Sequence, residues 1–515
     1  IFRARLRQTS VATALVLLGL AVARCAWIQT VAADRIASHA VRVRQGRGTV
    51  TVVWNPRLSS LATAIERGSI YDSYDRVLAT SRLREIHAAF PDDPRTARRY
   101  YRAGRYYPHG AACASVVGLW TRVNGAYGGA EAQMDAHLRG YTRLADLLPH
   151  YRSKDLPRWM RPGLLKGSDV VLSINAVLQE DAHSILRKAV RDANAPPAGR
   201  AALVVLNAVT GAPIVSAGVP SIDPNAILLR RSGTRGQGIE SQGLADMSRT
   251  LVQAPPGPFK VLTALAFGAD GVAFETDCAH DVEGLTWKDA GTTRSSGLIS
   301  DDPMDRPHGR IGMKRALKLS CNVWFATLAA HLGADEVYAR MAAIVGKPQL
   351  PRRAEFGRSL PEIAAGMAGI WTSPMDMACI VARVTSGMSQ VRPTYWRELR
   401  FANGRAPVAA PTAAESSSNK PIAAETIDTI KAALTEAVED GPASGVFGDL
   451  RLRVAGKTAS VPAAAGRGRP DAWFVGYAPV RTPQFVITCW IENGGSGLKS
   501  AAPAVKSILR EMSGP

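Results

Sequence analysis

The strongest constraint on this chain is the order and setting of three short polar elements. Pro255-Pro256-Gly257-Pro258-Phe259-Lys260 reads as a fixed helix start, since proline is tolerated in a first helical turn. Ser320-Cys321-Asn322, within LKLSCNVWFATLAAHLG, opens a second apolar helix. Lys457-Thr458-Ala459, within RVAGKTASV, lies on a β run. Each tripeptide alone is a weak signal. Helix start, helix start and strand, in that order, are a strong one.

The surrounding pattern fits an α/β (α+β) chain with helices packed on an antiparallel sheet. Ala201–Asn207 and Ile214–Gly218 read as a hairpin, its turn holding Thr210-Gly211. A mostly helical middle leads to three more β runs: Leu450–Ser460, Trp473–Tyr477 and Phe485–Glu492. A helix over Ala501–Met512 closes the chain. Upstream, GSDVVLSINAVLQEDAHSILRKAV predicts a short strand and then an amphipathic helix. Residues 29–45 read as a helical stalk, and 46–165 as short β-like runs such as Gly48–Trp54 among turns. Ala195–Gly199 reads as a linker, and 403–425, rich in Ala, Pro and Ser, as a mobile loop. At 515 residues the chain needs two or three domains. The expected division is 1–28 for a cytoplasmic tip and transmembrane anchor, 29–195 for stalk and pedestal, and 196–515 for the domain carrying the three elements.

Residues 9–28, TSVATALVLLGLAVARCAWI, have the length of a membrane-crossing helix. Arg3, Arg5 and Arg7 precede it, and positive flanks stay on the cytoplasmic side. The expectation is a single-pass protein of the cytoplasmic membrane with its bulk outside the cytoplasm. Ala21-Val22-Ala23 resembles a signal-peptidase site, but the length favours a retained anchor. Arg24 before Cys25 does not fit a small-residue lipidation motif. The balance of 63 Lys+Arg against 43 Asp+Glu, a formal +20, favours an anionic membrane or envelope polymer. Nucleic acid is not expected, since zinc-finger spacing, an RNA-binding aromatic run and a long basic block are missing. The six cysteines form no CxxC pair, and Cys278-Ala279-His280-Asp281 alone does not define a metal site, so neither metal nor cofactor is expected.

The chemistry of the trio is acyl transfer. A serine and a lysine one helical turn apart let the amine take the hydroxyl proton. A second hydroxyl relays it, and a Lys-Thr-Gly strand binds a substrate carboxylate, giving S-x-x-K, S-x-N and K-T-G. Lys260, Ser320, Asn322, Lys457 and Thr458 fill these positions. Gly257 stands where the serine belongs, and Ala459 replaces the final glycine. Glycine cannot form an acyl-enzyme. Thr263, one turn beyond Lys260, reads as a core threonine. Ser320 would have to leave its relay position, and Cys321 is expected to point away from the cleft. Ser417-Ser418-Asn419-Lys420 spells S-x-x-K by chance inside the low-complexity loop.

In these motifs the chain resembles the class B penicillin-binding proteins, the D,D-transpeptidases that cross-link bacterial peptidoglycan. The resemblance covers nearly all of it. Residues 66–72, ERGSIYD, with Leu78-Ala79, resemble the family's N-terminal signature. Tyr107-Pro108-His109-Gly110, Val117-Gly118, and Gly129 with Glu131 resemble its pedestal pattern. Residues 201–225 resemble its first hairpin. The resemblance implies one anchor, a non-catalytic pedestal and a β-lactamase-like transpeptidase domain. It also implies an integral membrane partner, a polytopic glycan polymerase. Ser73 and Asp75 depart from the signature, where arginine and a turn glycine are usual, so Gly257 and Ala459 do not drift alone. The expectation is a pseudo-transpeptidase scaffold in a peptidoglycan-synthesis complex. The alternatives are a penicillin-binding transpeptidase with an unconventional nucleophile, and a sensor whose cleft binds a peptidoglycan stem peptide without reacting.

Overall fold

The computed structural model describes residues 2–32, 41–45, 49–53, 55–122, 125–152, 165–193, 199–229, 244–345, 350–368, 370–402, 404–411, 421–441, 443–462 and 468–513. Helix α1 (Phe2–Thr30) contains the apolar stretch Ala12–Gln29, with mean hydropathy 1.6, long and apolar enough to cross a membrane. Arg24 lies over the Trp27 ring, 4.6 Å from its centroid. The stalk expected over 29–45 is not continuously helical. Val41–Gln45 (β1) pairs with Thr49–Val53 (β2) as a hairpin, because VRVRQ alternates β-branched and basic residues at period two.

The N-terminal unit begins with α2 (Pro56–Ala64) and the strands β3 (Ile70–Tyr71) and β4 (Val77–Ala79). Helices α3 (Leu83–Ala89), α4 (Pro94–Ala103) and α5 (Gly110–Val117) follow. Strand β5 (Asp169–Leu172) and helix α6 (Ala176–Asp192) match the strand-then-helix expectation, and Asn175 caps α6 through Val177 N and Leu178 N. Its core is a buried ion network. Glu131 accepts from Arg67 and Arg105, and Arg67 also reaches Asp135. Burial pushes the Glu131 carboxyl up, but Arg105 and Arg67 outweigh that and hold it below the ordinary range. Asp75 adopts φ 61°, so it performs the left-handed turn at the position where the resemblance leads one to expect glycine. Arg400 secures it with an ion pair at 2.7 Å.

The second unit is built on β6 (Ala201–Asn207) and β7 (Pro213–Val219), then α7 (Pro256–Ala273), α8 (Met313–Leu319), α9 (Asn322–Leu332), α10 (Leu360–Ala364) and α11 (Pro374–Ser386). Strands β8 (Trp396–Arg400) and β9 (Val408–Ala409) precede α12 (Ala424–Glu439). Strands β10 (Ala455–Val461), β11 (Asp471–Ala478) and β12 (Phe485–Ile491) and the closing helix α13 (Ala502–Ser513) complete it. The sheet runs β10-β11-β12-β6-β7, antiparallel throughout. Strand alternation divides two cores. Val204, Trp473, Val475, Val486 and Trp490 face one, with α7, α9 and α11. Leu203, Val205, Phe474, Ile487 and Ile491 face the other, with α6 and α13.

The loop expected over 403–425 is partly ordered structure. Strand β9 lies within it, and α12 starts at Ala424. Together β9 and β8 extend the N-terminal sheet, whose order is β9-β8-β5-β3-β4. A chain segment beyond residue 390 is therefore hydrogen-bonded into the N-terminal unit. The linker core 194–198 and Ser417–Lys420 lie outside the described residues.

Candidate active site

Three elements converge on one cleft. Helix α7 enters through Pro255 and Pro256, so its first turn is fixed, with Phe259 N bonded to Pro255 O at 2.8 Å. Gly257 and Lys260 project from that turn. A Cβ on Gly257 would lie 3.2 Å from Ser320 Oγ, 3.3 Å from Lys457 Cε and 3.3 Å from the Thr458 carbonyl oxygen. That Cβ position is thus walled by Ser320 and by the Lys-Thr strand.

The Lys260 side chain is fully buried and doubly anchored. Its Nζ donates to Asn322 Oδ1 at 2.7 Å and to the Ala365 carbonyl at 2.8 Å. Burial lowers its pKa to about 7, assisted by repulsion from Lys457, while Asp301 and Cys321 pull the other way. A lysine so tuned is half neutral near pH 7 and fit to accept a proton. The Ala365 carbonyl follows α10, and Gly366, at φ 72°, makes that turn against α7. A side chain there would come within 2.9 Å of Pro256 O.

Ser320 ends α8 in a left-handed conformation, φ 68°, and Cys321 then caps α9. This sharp reversal leaves Ser320 facing Gly257. Asn322 is held on both sides: its backbone N donates to Asp301 Oδ1 at 2.5 Å, and its Nδ2 to Ser300 O at 2.7 Å. Lys457 is buried on β10 and donates to the Lys318 carbonyl at 3.2 Å. Burial lowers its pKa to about 8, partly opposed by Asp305. It remains mostly protonated at neutral pH and suits a carboxylate. Gly456 beside it faces Gly476 across the strand pair. A Cβ there would meet the Phe474 ring and Val475 O at 2.6 Å. Ala459 shares the Lys457 face of β10 by the two-residue period and packs against the core beneath α7.

Other hydroxyls and thiols are occupied elsewhere. Thr263 is fully buried and donates to Ala364 O at 2.9 Å. Cys321 Sγ lies 3.3 Å from Asp301 Oδ2 and accepts from Trp324 N. A hydrogen bond with Cys278, together with burial, pushes its thiol far above the ordinary range. Such a thiol is a poor nucleophile.

Cys278, His280 and Asp281 do not converge: His280 and Asp281 pair with each other at 2.8 Å, while Cys278 is buried. Among the described residues the set able to hold a metal is Asp301, His308 and Cys321, with ligand atoms within 4.8 Å of one another. His308 Nδ1 is 3.1 Å from Asp301 Oδ2 yet makes no aligned hydrogen bond. Imidazole, carboxylate and thiol together suit zinc. None of the roles described for Lys260, Ser320 or Lys457 requires an ion there. Sequence reasoning missed Asp301, His308 and the Ala365 carbonyl; the order Asp301, His308, Cys321 up to the Ser-x-Asn element was the available signal.

A helix-borne lysine, a relay Ser-x-Asn and a Lys-Thr edge strand around one cleft define the serine transpeptidase class. The sequence matches the penicillin-binding protein transpeptidase domain over residues 201–510, and the chain belongs to that family. It is homologous to class B members. The peptidoglycan D,D-transpeptidase PbpA of Mycolicibacterium smegmatis is 24% identical over 436 residues, covering 79% of this chain and 83% of the relative. MrdA of Acinetobacter baumannii, also a peptidoglycan D,D-transpeptidase, is 24% identical over 473 residues, 79% of this chain and 65% of the relative. In fold the chain is similar to penicillin-binding protein A of M. tuberculosis, solved as its penicillin G acyl-enzyme complex. The TM-score is 0.64 at 19% identity, over 88% of this chain and 100% of that one. The D,D-transpeptidase domain of a peptidoglycan glycosyltransferase from Eggerthella lenta gives 0.62 at 21% identity, over 87% and 99%.

Proposed function

We propose that this protein is a membrane-anchored pseudo-transpeptidase that serves as a scaffold subunit in peptidoglycan synthesis without forming an acyl-enzyme. The observation that carries the proposal is Gly257: the cleft keeps its base, relay and Lys-Thr strand around a position with no hydroxyl. The bonding of Thr263 and Cys321 argues against a substitute nucleophile. Helix α1 supplies the anchor, and Arg3, Arg5 and Arg7 set the bulk of the chain outside the cytoplasm. Arg24, inside the apolar stretch, motivates an integral membrane partner such as a polytopic glycan polymerase.

Fluorescent penicillin tests the missing chemistry. The native chain gives no covalent band after denaturing electrophoresis; a band on native protein overturns the reading. The anchor half predicts co-purification with a membrane partner that survives pedestal truncation but fails when α1 is exchanged. If no membrane partner is recovered, the scaffold reading fails.

A second reading has its own observation. Lys457 remains buried, protonated and directed into the cleft, able to bind a stem-peptide carboxylate without reaction. Titration with a peptide ending in D-alanyl-D-alanine tests it, and binding lost in Lys457→Ala favours a sensor. The polar network around Lys260 favours the structural account, because a buried amine persists only with partners.

A further inference from the structure

One face of the pedestal is bare arginine. Helix α4 turns Ala97 and Tyr100 inward, where Tyr100 stacks on Phe90 with ring centroids 5.4 Å apart. Its outer face exposes Arg95, Arg98, Arg99 and Arg102. Arg122 adjoins its C-terminal end: a Cβ built on Gly104 would lie 2.5 Å from Arg122 Nε. None of these five forms an ion pair among the described residues, whereas neighbouring Arg67, Arg82, Arg105, Arg139 and Arg143 are all paired. The four on α4 stand three and four residues apart, a spacing at which like charges destabilise a helix. An anionic surface laid on this face relieves that repulsion.

The Arg122 end of this face lies beside the end of α2. Arg122 lines a cleft of about 760 Å³ together with Ala62, Thr63 and Ile65 at the end of α2. Chain from α2 leads back to α1, and the stretch from Thr30 to Pro56 spans at most about 90 Å even if fully extended. The cleft also carries Arg139 and the 79% exposed Arg143.

We infer that this arginine face docks on the phosphate headgroups of an anionic membrane, the one that α1 enters. The inference rests on the anchor reading above. Guanidinium meets phosphate oxygens through paired N–H groups, and its exposed planar fork loses little freedom in doing so. Each arginine at an anionic surface adds about a fivefold preference. Tyr101, 43% exposed between Arg99 and Arg102, is placed to sit at the same interface.

The test uses the full chain in nanodiscs, with a donor fluorophore on Tyr101→Cys in a Cys25→Ser background; the other cysteines are buried. Transfer to a headgroup acceptor should be higher with about 30% phosphatidylglycerol than with phosphatidylcholine alone, and fall back in about 1 M salt. The variant R95Q/R98Q/R99Q/R102Q should lose the increase while its unfolding temperature is no lower than the parent's, since the like-charge repulsion along α4 is removed. Equal transfer on both lipids overturns the inference. So does an increase that the glutamine variant retains, or one reproduced in phosphatidylcholine by added polyphosphate, which would assign the face to an envelope polymer. Anchoring is read separately, as carbonate-resistant retention of the same chain in phosphatidylcholine vesicles. If retention fails, the anchor reading falls alone; flotation on phosphatidylglycerol vesicles then decides the arginine face, binding supporting it and no binding overturning it.

Discussion

Relative to serine, the glycine at 257 lacks Cβ and Oγ. The position keeps an ordinary helical setting, and a Cβ would press its neighbours by only a few tenths of an ångström. Gly257→Ser should therefore fold, with stability within about 1 kcal/mol of the parent by urea unfolding, as better helix propensity offsets tight packing. The same variant should acquire covalent penicillin labelling, because Lys260 is already tuned as a base. Failure to label in a folded variant would place the defect beyond residue 257, with Ala459 next in line. Lys260 itself makes a pH prediction. Unfolded, the amine titrates near 10.5; folded, at about 7. Between these values the unfolded state binds more protons, so stability rises with pH, by up to about 1.4 kcal/mol per unit. Lys457 adds to the slope in the same sense above its value of about 8. Lys260→Met should climb less steeply between about pH 7 and 9 by thermal unfolding, and an unchanged slope would refute the buried neutral lysine. The convergence of Lys260, Ser320, Asn322 and Lys457 on one cleft was legible in the sequence from the order and spacing of the three elements. The Ala365 carbonyl was not, since a backbone acceptor leaves no side-chain trace.

At the scale of elements, the α8–α9 junction spends stability on orientation. Ser320 holds φ 68° without being glycine. Ser320→Gly should stabilise the chain by about 0.5–1 kcal/mol, once the glycine's larger unfolded-state freedom is subtracted from the relieved strain. The double variant Gly257→Ser/Ser320→Gly should label with penicillin more slowly than Gly257→Ser, having lost its relay hydroxyl. In the pedestal, Glu131→Ala leaves the buried Arg105 without a carboxylate and Arg67 with Asp135 alone, and should cost about 3–5 kcal/mol in unfolding experiments. The hairpin β6–β7 and strands β11 and β12 could be read in advance, because buried strands appear as apolar runs between turn residues. The run expected over Leu450–Ser460 is a strand only from Ala455 to Val461, with Lys457, Thr458 and Ser460 within it. Val41–Gln45 misled because its charged half resembles a stalk helix, and its strand state depends on a partner, Thr49–Val53. Strand β9 was hidden for the same reason. Val408–Ala409 is too short for any periodicity, and only pairing with β8 makes it a strand.

At the scale of the whole molecule, the two sheets are not sequential along the chain. The N-terminal sheet takes β3, β4 and β5 from before residue 173 and β8 and β9 from Trp396–Ala409. A linear cut near residue 196 therefore removes two strands from the pedestal sheet. A pedestal fragment ending there should expose β5 as an edge and aggregate, whereas one extended by a tethered 390–411 segment should remain soluble in size-exclusion chromatography. This arrangement was beyond sequence reading, since nothing in WRELR says which of two sheets it joins. It also sets an order of events during synthesis. The pedestal strands emerge first and cannot complete their sheet until Ala409 has emerged, and at about 5–20 residues per second that interval lasts tens of seconds. Throughout it the growing chain carries a half-built sheet with β5 open at its border, a template for pairing with a second copy.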